Sequence, residues 1–307
     1  METVAVIDLG SNSARLTVFE IRSPAEFILQ RRAYEMNRLA ASLTEEGCFS
    51  EEAFVRTAEV LAKLKQVAAQ YRCSVFRCIA TEAVRRAKNS AQFLDFLQEQ
   101  TGLAFTVISG EKEAQYGFSA VREGLGLSDF VLMDTGGASV EISLVKGGTL
   151  RRSISLPVGS LSMHRAFIHS DPVSTEDLSA LKLHLCESFQ SVPWLAEGKN
   201  LPVAGLGGAN KCMAKLDCPG REFYQRYTLT AKRIAELYQT VSHTAVPERA
   251  LMPGMESGRE DTILSGMTAA VVLMDLLASP EMVISEWGLD YGVFIEYWIR
   301  RKEEAKE

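Results

Sequence analysis

Short apolar segments open the chain and predict strands. Residues 4–9 form an apolar run, interrupted only by Asp8, that ends in a Gly-Ser-Asn-Ser turn, which is typical of a buried strand. Residues 15–21 and 27–34 predict two further strands. From residue 51 to about residue 72 the apolar residues recur at the spacing of a helix, and Ser50 is its predicted N-cap.

The same order of elements occurs twice. After the first helix the pattern predicts a strand at 74–81, a helix between Asn89 and Gly102, a strand at 103–109 and a helix at 111–125. Three strands come first again in the second half, at 130–134, 140–145 and 149–156. The remaining predictions are a helix at 174–191, a strand at 201–205, helices at 230–242 and 259–277, a strand at 283–285 and a helix at 291–302. The pattern therefore predicts two α/β domains.

A repeated motif supports this duplication. Residues 7–13 and 133–139 both read apolar-Asp-x-Gly-x-x-Ser at the end of an apolar strand, about one domain apart. A carboxylate beside a glycine turn offers one oxygen ligand and several backbone N–H donors, so it can hold a phosphate and its metal ion. One copy is more often an ordinary turn, but two copies favour a phosphate chain as the ligand. If the halves pack with pseudo-twofold symmetry, both turns face one interdomain cleft.

Composition and charge argue against several classes of function. A chain of 307 residues exceeds one ordinary core, and its formal net charge of −6 argues against binding duplex nucleic acid or a membrane. The longest apolar stretch, residues 267–278, is too short to span a membrane, and the first residues lack a signal-peptide pattern. The six cysteines have no metal-ligand spacing. We therefore expect a cytoplasmic protein, and a homodimer because that is the commonest oligomer.

The motifs together resemble the exopolyphosphatase and guanosine pentaphosphate phosphohydrolase (Ppx/GppA) family of the actin-like ATPase superfamily. Residues 5–13 are similar to the family's opening segment, residues 80–85 to its A-T-x-A-x-R segment and residues 108–114 to its I-S-G-x-E-E-A helix start. Residues 134–141 resemble its second phosphate turn, residues 156–160 its L-P-x-G segment, residues 205–209 its third glycine loop and residues 259–261 its R-x-D element.

The resemblance implies a fold of the short, two-domain form. Each domain would be RNase H-like (actin-like ATPase), with a mixed sheet of about five strands flanked by helices, and an interdomain cleft would separate the two. We expect domain I to span residues 1–125, with a C-terminal helix at about 291–307 packing back on it. Domain II would span residues 126–290.

The resemblance also implies a hydrolase that uses Mg²⁺ to remove terminal phosphate from inorganic polyphosphate or guanosine pentaphosphate. Glu113 would activate the attacking water, and Arg85 would neutralise phosphate oxygens. Asp134 and Glu141, with Asp8 nearby, would hold the metal. Backbone N–H groups of three turns would cradle the phosphates, at Gly10, Ser11, Asn12 and Ser13, at Gly136, Gly137, Ala138 and Ser139, and at Gly207 and Gly208.

Several positions depart from the family pattern. Lys112 stands where an acidic residue usually precedes the catalytic glutamate, and Asp290 follows Gly288-Leu289 where the family usually has arginine. In the phosphate turns, Ala138 replaces a glycine, and Val140 and Ala209 replace threonines. These changes bear on activity and on substrate choice.

Two other functions stay open. An ATP-dependent sugar or acid kinase of the same superfamily would share both Asp-Gly turns, and a non-catalytic polyphosphate or nucleotide sensor would account for the departures. A long polyphosphate would need a basic track, for which the candidates are Arg31-Arg32, Arg38, Arg85-Arg86-Lys88 and Arg151-Arg152.

Overall fold

The chain folds into two units, each built on one mixed β-sheet. The structure is a computed structural model that describes residues 2–220 and 226–304. Unit 1 comprises residues 1–116 and 289–307, and unit 2 comprises residues 117–288.

The elements follow one another in a regular order. The strands are β1 (Glu2–Leu9), β2 (Ser13–Ser23), β3 (Glu26–Met36), β4 (Val75–Ala80), β5 (Phe105–Val107), β6 (Phe130–Thr135), β7 (Val140–Lys146), β8 (Thr149–Leu156), β9 (Val203–Leu206), β10 (Arg226–Thr230) and β11 (Glu281–Ser285). The helices are α1 (Glu51–Gln70), α2 (Glu82–Arg86), α3 (Ser90–Thr101), α4 (Gly110–Leu125), α5 (Ser160–Phe167), α6 (Thr175–Gln190), α7 (Gly207–Asp217), α8 (Ala231–Ser242), α9 (Val246–Arg249), α10 (Ile263–Leu277) and α11 (Leu289–Glu304). Leu39–Ser42 and Pro193–Gly198 form short 3₁₀ helices.

In unit 1 the sheet order is β3-β2-β1-β4-β5, so β1 is its central strand. β1 pairs antiparallel with β2 and parallel with β4, and its residues Val4, Ala5, Val6 and Ile7 are fully buried. A central strand that is buried on both faces requires a continuous run of apolar residues, which β1 has. Helix α1 begins where expected, because the Ser50 side chain accepts a hydrogen bond from the Ala53 N–H.

Unit 2 repeats this design and adds one strand. Its sheet order is β10-β11-β9-β6-β7-β8, in which β6, β7, β8, β9 and β11 correspond to the five strands of unit 1. Helix α10 is apolar over most of its surface, with Asp275 exposed, as expected of a helix that packs against α5, α6, α7 and α8. Within residues 2–220 and 226–304, no helix has both the length and the apolarity of a membrane span.

The structure differs from the sequence expectations at several boundaries. The chain passes from unit 1 to unit 2 after Tyr116, inside α4, rather than after residue 125, because the Tyr116 hydroxyl bonds to Glu296 of α11 whereas Gly117 lies against Leu206 of unit 2. Helix α11 belongs to unit 1, and its expected last residues, 305–307, lie outside the described part of the chain. Helix α10 begins at Ile263 rather than 259, since the preceding residues form turns. The short elements α2, α5, α9 and β10 were not expected.

Substitution of Gly292 in α11 tests how closely this helix packs within unit 1. A Cβ at this position would lie 2.2 Å from the backbone oxygen of Tyr116 in α4. We expect Gly292→Ala to lower the free energy of unfolding by about 1–3 kcal/mol through overpacking, although alanine ordinarily stabilises a helix. Gly117→Ala, whose Cβ would meet only leucine methyl groups, is the matched control. Equal urea midpoints for the two variants would contradict this packing.

Candidate active site

The two repeated motifs form the same turn. In unit 1 the Gly10 N–H donates to the Ser13 carbonyl at 3.1 Å, and in unit 2 the Gly136 N–H donates to the Ser139 carbonyl at 2.9 Å. A Cβ on either glycine would lie 3.0 Å from that carbonyl oxygen. Each turn joins two antiparallel strands at the end of a central strand. The letter-by-letter repeat thus corresponds to a repeated backbone geometry.

The turn of unit 1 is buried and held from outside. Ser11, Asn12 and Ser13 are nearly inaccessible to solvent. The Asn12 carbonyl accepts from the N–H groups of Asn37 and Arg38, at 3.0 and 2.7 Å. Both polar atoms of the Asn12 amide are buried and form no hydrogen bond within the described residues. Since an unsatisfied buried polar group costs about 1–3 kcal/mol, a polar ligand that bonded to this amide would remove that cost. Asp8, also buried, ends the strand just before the turn.

Arg85 and Glu113 form an ion pair in unit 1. Arg85 Nη1 lies 3.0 Å from Glu113 Oε2 and also donates to the Ile108 carbonyl, at 2.5 Å. The other side of the guanidinium, through Nε and Nη2, bonds to Glu82 Oε2. Burial opposes the charge of Arg85, but its bonds to Glu113 and Glu82 raise the pKa of Arg85 overall. Arg85 is thus a fixed cation between two carboxylates.

The turn of unit 2 is held by the start of α5. The Gly136 carbonyl accepts from both the N–H and the hydroxyl of Ser160, at 2.9 and 3.1 Å. Gly159 must be glycine, because a Cβ there would lie 2.4 Å from the backbone of Ala138. Ala138 does not adopt a positive φ, so replacing the family's glycine with alanine costs no backbone strain here.

Two carboxylates face each other in unit 2. Asp134 and Glu141 are direct partners in the β6–β7 pair, which places their side chains on one face of the sheet. Glu141 is buried, and its Oε1 accepts from the hydroxyls of Ser139 and Ser155, each at 2.7 Å. These two bonds fix the direction of the carboxylate.

This carboxylate pair fits a magnesium ion. Mg²⁺ prefers oxygen ligands and is commonly held by one or two carboxylates, with water and substrate phosphate completing its shell. In the described part of the chain no group of three or more His, Cys, Asp or Glu side chains is arranged to hold a metal. Asp134 and Glu141 could therefore supply only part of a magnesium shell, which phosphate oxygens and water would have to complete.

The third glycine loop starts α7 in unit 2. Gly207 has a φ of +87°, and a Cβ there would lie 2.4 Å from the Thr135 carbonyl and 2.8 Å from Asp134 Oδ1. A Cβ on Gly208 would overlap the guanidinium of Arg259. Arg259 is buried and bonds to Glu256 at 2.6 Å. The loop therefore places Arg259 beside the glycines. The match of residues 259–261 to an R-x-D element did not predict this contact.

The departures from the family pattern have structural partners. Lys112 Nζ lies 2.5 Å from Glu296 Oε1 of α11, and Thr17 donates to Asp290 at 2.6 Å within unit 1. Val140 lies in the core of unit 2, and Ala209 is buried against Gly266, where a Cβ on the glycine would lie 2.5 Å from the Ala209 Cβ. The expected site residues divide by unit: Asp8, residues 10–13, Arg85 and Glu113 are in unit 1, and Asp134, residues 136–139, Glu141, Gly207 and Gly208 are in unit 2.

The fold and the repeated turns define an actin-like two-domain protein. The solved structure of the Ppx/GppA family member of Aquifex aeolicus matches with a TM-score of 0.80 and 27% identity, covering 98% of each chain. The sequence profile of the Ppx/GppA phosphatase family matches residues 17–300. The chain belongs to this family.

Two curated relatives cover most of the chain. An uncharacterized protein of Streptomyces coelicolor is 27% identical, over 98% of this chain and 95% of its own. Exopolyphosphatase 1 of Mycobacterium tuberculosis is 24% identical, over 95% of this chain and 87% of its own.

Asn12 allows ligand binding to be separated from stability. Because its amide has no hydrogen bond from the described residues, we expect Asn12→Leu to leave the melting temperature of the ligand-free protein equal or higher. The rise in melting temperature caused by tripolyphosphate should fall, since the amide no longer binds the ligand. Asn89→Leu is the control, because both amide atoms of Asn89 bond to the Phe49 backbone and its loss should destabilise the protein. An unchanged tripolyphosphate effect in Asn12→Leu would show that Asn12 does not contact the ligand.

Proposed function

We propose that this protein is a phosphoanhydride hydrolase of the exopolyphosphatase type. It would release terminal phosphate from inorganic polyphosphate, with guanosine pentaphosphate as a second substrate of the same chemistry. Membership of the Ppx/GppA phosphatase family and the exopolyphosphatase among its relatives support this proposal. The observation that carries it is the Arg85–Glu113 ion pair, at 3.0 Å, which sets a carboxylate base beside a cation in unit 1.

In this proposal Glu113 takes a proton from water while the water oxygen attacks the terminal phosphorus. The bond to the bridging oxygen breaks, so the products are phosphate and a chain one unit shorter. Arg85 favours the ionised form of Glu113, which is the form that accepts a proton. Its charge would also offset the charge on the phosphoryl oxygens, and the glycine turns would bind the phosphates by their N–H groups.

Asp134 and Glu141 would hold Mg²⁺ in unit 2. The ion would neutralise charge on the phosphate oxygens. The Ser139 and Ser155 hydroxyls keep Glu141 oriented before any ligand arrives, because both donate to the same oxygen, Oε1. The chain's own contribution would therefore be two carboxylates, of which Glu141 is held in place by these bonds.

The two alternatives are less well supported. A kinase would need a base placed for an acceptor molecule, whereas Glu113, the base in this proposal, pairs with Arg85, which would neutralise phosphate oxygens. A sensor was motivated by Lys112, Ala138 and Asp290, but Lys112 pairs with Glu296, Asp290 pairs with Thr17 and Ala138 has an ordinary backbone. None of these changes removes Glu113, Arg85 or the carboxylate pair.

Glu113→Gln is the direct test of hydrolysis. We expect it to lower phosphate release from polyphosphate by about 10²–10⁴-fold, because the amide cannot accept a proton from water. Glu111→Gln, on the same helical turn and less buried, is the matched control and should keep activity near wild type. If the wild-type protein releases no phosphate and is active only when an acceptor molecule is added, the kinase is supported instead. Tight binding of polyphosphate or guanosine pentaphosphate without turnover of either would support the sensor.

The metal assignment predicts a shift in Mg²⁺ dependence. We expect Asp134→Asn to raise the Mg²⁺ concentration needed for half-maximal phosphate release by about tenfold or more, because a charged oxygen ligand is lost. Asp95→Asn, an exposed carboxylate on α3, is the control. Identical Mg²⁺ titrations for the two variants would remove Asp134 from the metal site.

A further inference from the structure

A cavity of about 510 Å³ lies within unit 1, apart from the glycine turn. It lies beside the first residues of β4, which pair with β1 on one side but have no strand on the other side within the described residues, because the three-residue strand β5 pairs only with residues 78–80. Its walls come from β4, β5, the first turns of α4 and the outer face of α11. None of residues 10–13 lines it. Its volume is in the range of small-molecule sites.

The polar lining of the cavity is mainly cationic. Arg77, Lys112 and Arg300 line it, and Glu296 is the one carboxylate among its described lining residues. Lys112 lies 2.5 Å from Glu296, and Arg300 lies 3.5 Å from it. Arg77 has no carboxylate partner among the described residues and lies over the Tyr297 ring at 4.6 Å. Three cations against one anion, in a chain of net charge −6, indicate an anionic ligand.

The aromatic residues of the cavity orient these cations. Tyr116 donates to Glu296 at 2.6 Å and carries the Lys112 ammonium 4.5 Å from its ring centre. Tyr297 is covered in the same way by Arg77. Since cations occupy these ring faces, stacking of a nucleobase on them is disfavoured. The ligand is therefore better described as a compact anion with several charges.

We propose that this cavity is a second phosphoanion site, which binds a short run of phosphate groups through Arg77, Lys112 and Arg300. This inference rests on the proposed function, because polyphosphate is the phosphoanion that such an enzyme meets. The phosphates come either from a distal part of the bound chain or from free short anions. Lys112 links the cavity to the catalytic residue, since it directly precedes Glu113 on the first turn of α4.

Calorimetric titration tests the site without turnover. In a Glu113→Gln background, where the probe is not consumed, we expect two tripolyphosphate molecules per chain. Arg77→Gln combined with Arg300→Gln should abolish the second or weaken it about tenfold, as removal of charged hydrogen-bond donors does. Glu296→Gln should tighten it, because the competing carboxylate becomes neutral. Arg56→Gln, a partly exposed arginine of α1, is the control.

Turnover kinetics distinguish the two sources of the ligand. If the cavity holds the distal part of the chain, the Arg77→Gln, Arg300→Gln protein has a raised KM for long polyphosphate and an unchanged KM for tripolyphosphate. If it holds free anions, added pyrophosphate alters wild-type turnover of tripolyphosphate and has no such effect on the variant. Either result supports the site.

Several results would overturn the inference. A single tripolyphosphate site in the Glu113→Gln protein would do so, as would equal losses in the double variant and in Arg56→Gln. The proposed function fails separately, when wild-type protein hydrolyses neither substrate. Two binding sites without hydrolysis would leave the cavity proposal standing and the enzyme proposal refuted.

Discussion

The tight turn that closes from Gly10 to Ser13, and from Gly136 to Ser139, is the constraint on which both units depend. Each turn is at least half buried at the end of a central strand, so its carbonyl groups need partners from elsewhere in the same unit. In unit 1 these partners are the N–H groups that follow β3, and in unit 2 they are those that begin α5. Glycine is needed at the first position because a Cβ would approach the closing carbonyl to 3.0 Å. The elements around each turn therefore hold the backbone of the turn in a single conformation.

In both units, hydrogen bonds hold a charged side chain in one orientation. Arg85 is held by Glu82 on one side and by Glu113 and a backbone carbonyl on the other, so a shift of any one partner would change its direction. In unit 2 two hydroxyls hold Glu141 in the same manner. Such bonds orient a charged group before a ligand arrives, which removes the cost of reorganising it during the reaction.

Local patterns predicted local structure well. The repeated motif predicted both turns because all their atoms lie within a few residues, and Ser50 predicted the start of α1 for the same reason. The partner of Lys112 could not be predicted, since Glu296 lies 184 residues away and nothing near Lys112 marks it. Arg259 matched a motif, yet only the folded unit brings it against Gly208. Helix α5 was missed because it has only eight residues.

The helix that carries Glu113 depends on the end of the chain. Tyr116 of α4 bonds to Glu296 across 180 residues, and Thr17 of β2 bonds to Asp290 across 273. Unit 2 is thus an insertion in the sequence of unit 1, whose last helix follows it. Contacts of such long sequence separation form only after a large loss of chain entropy, so they favour late assembly. Unit 2 contains all of its own strands in one continuous segment and can fold first, whereas the support of Glu113 is complete only when α11 has packed.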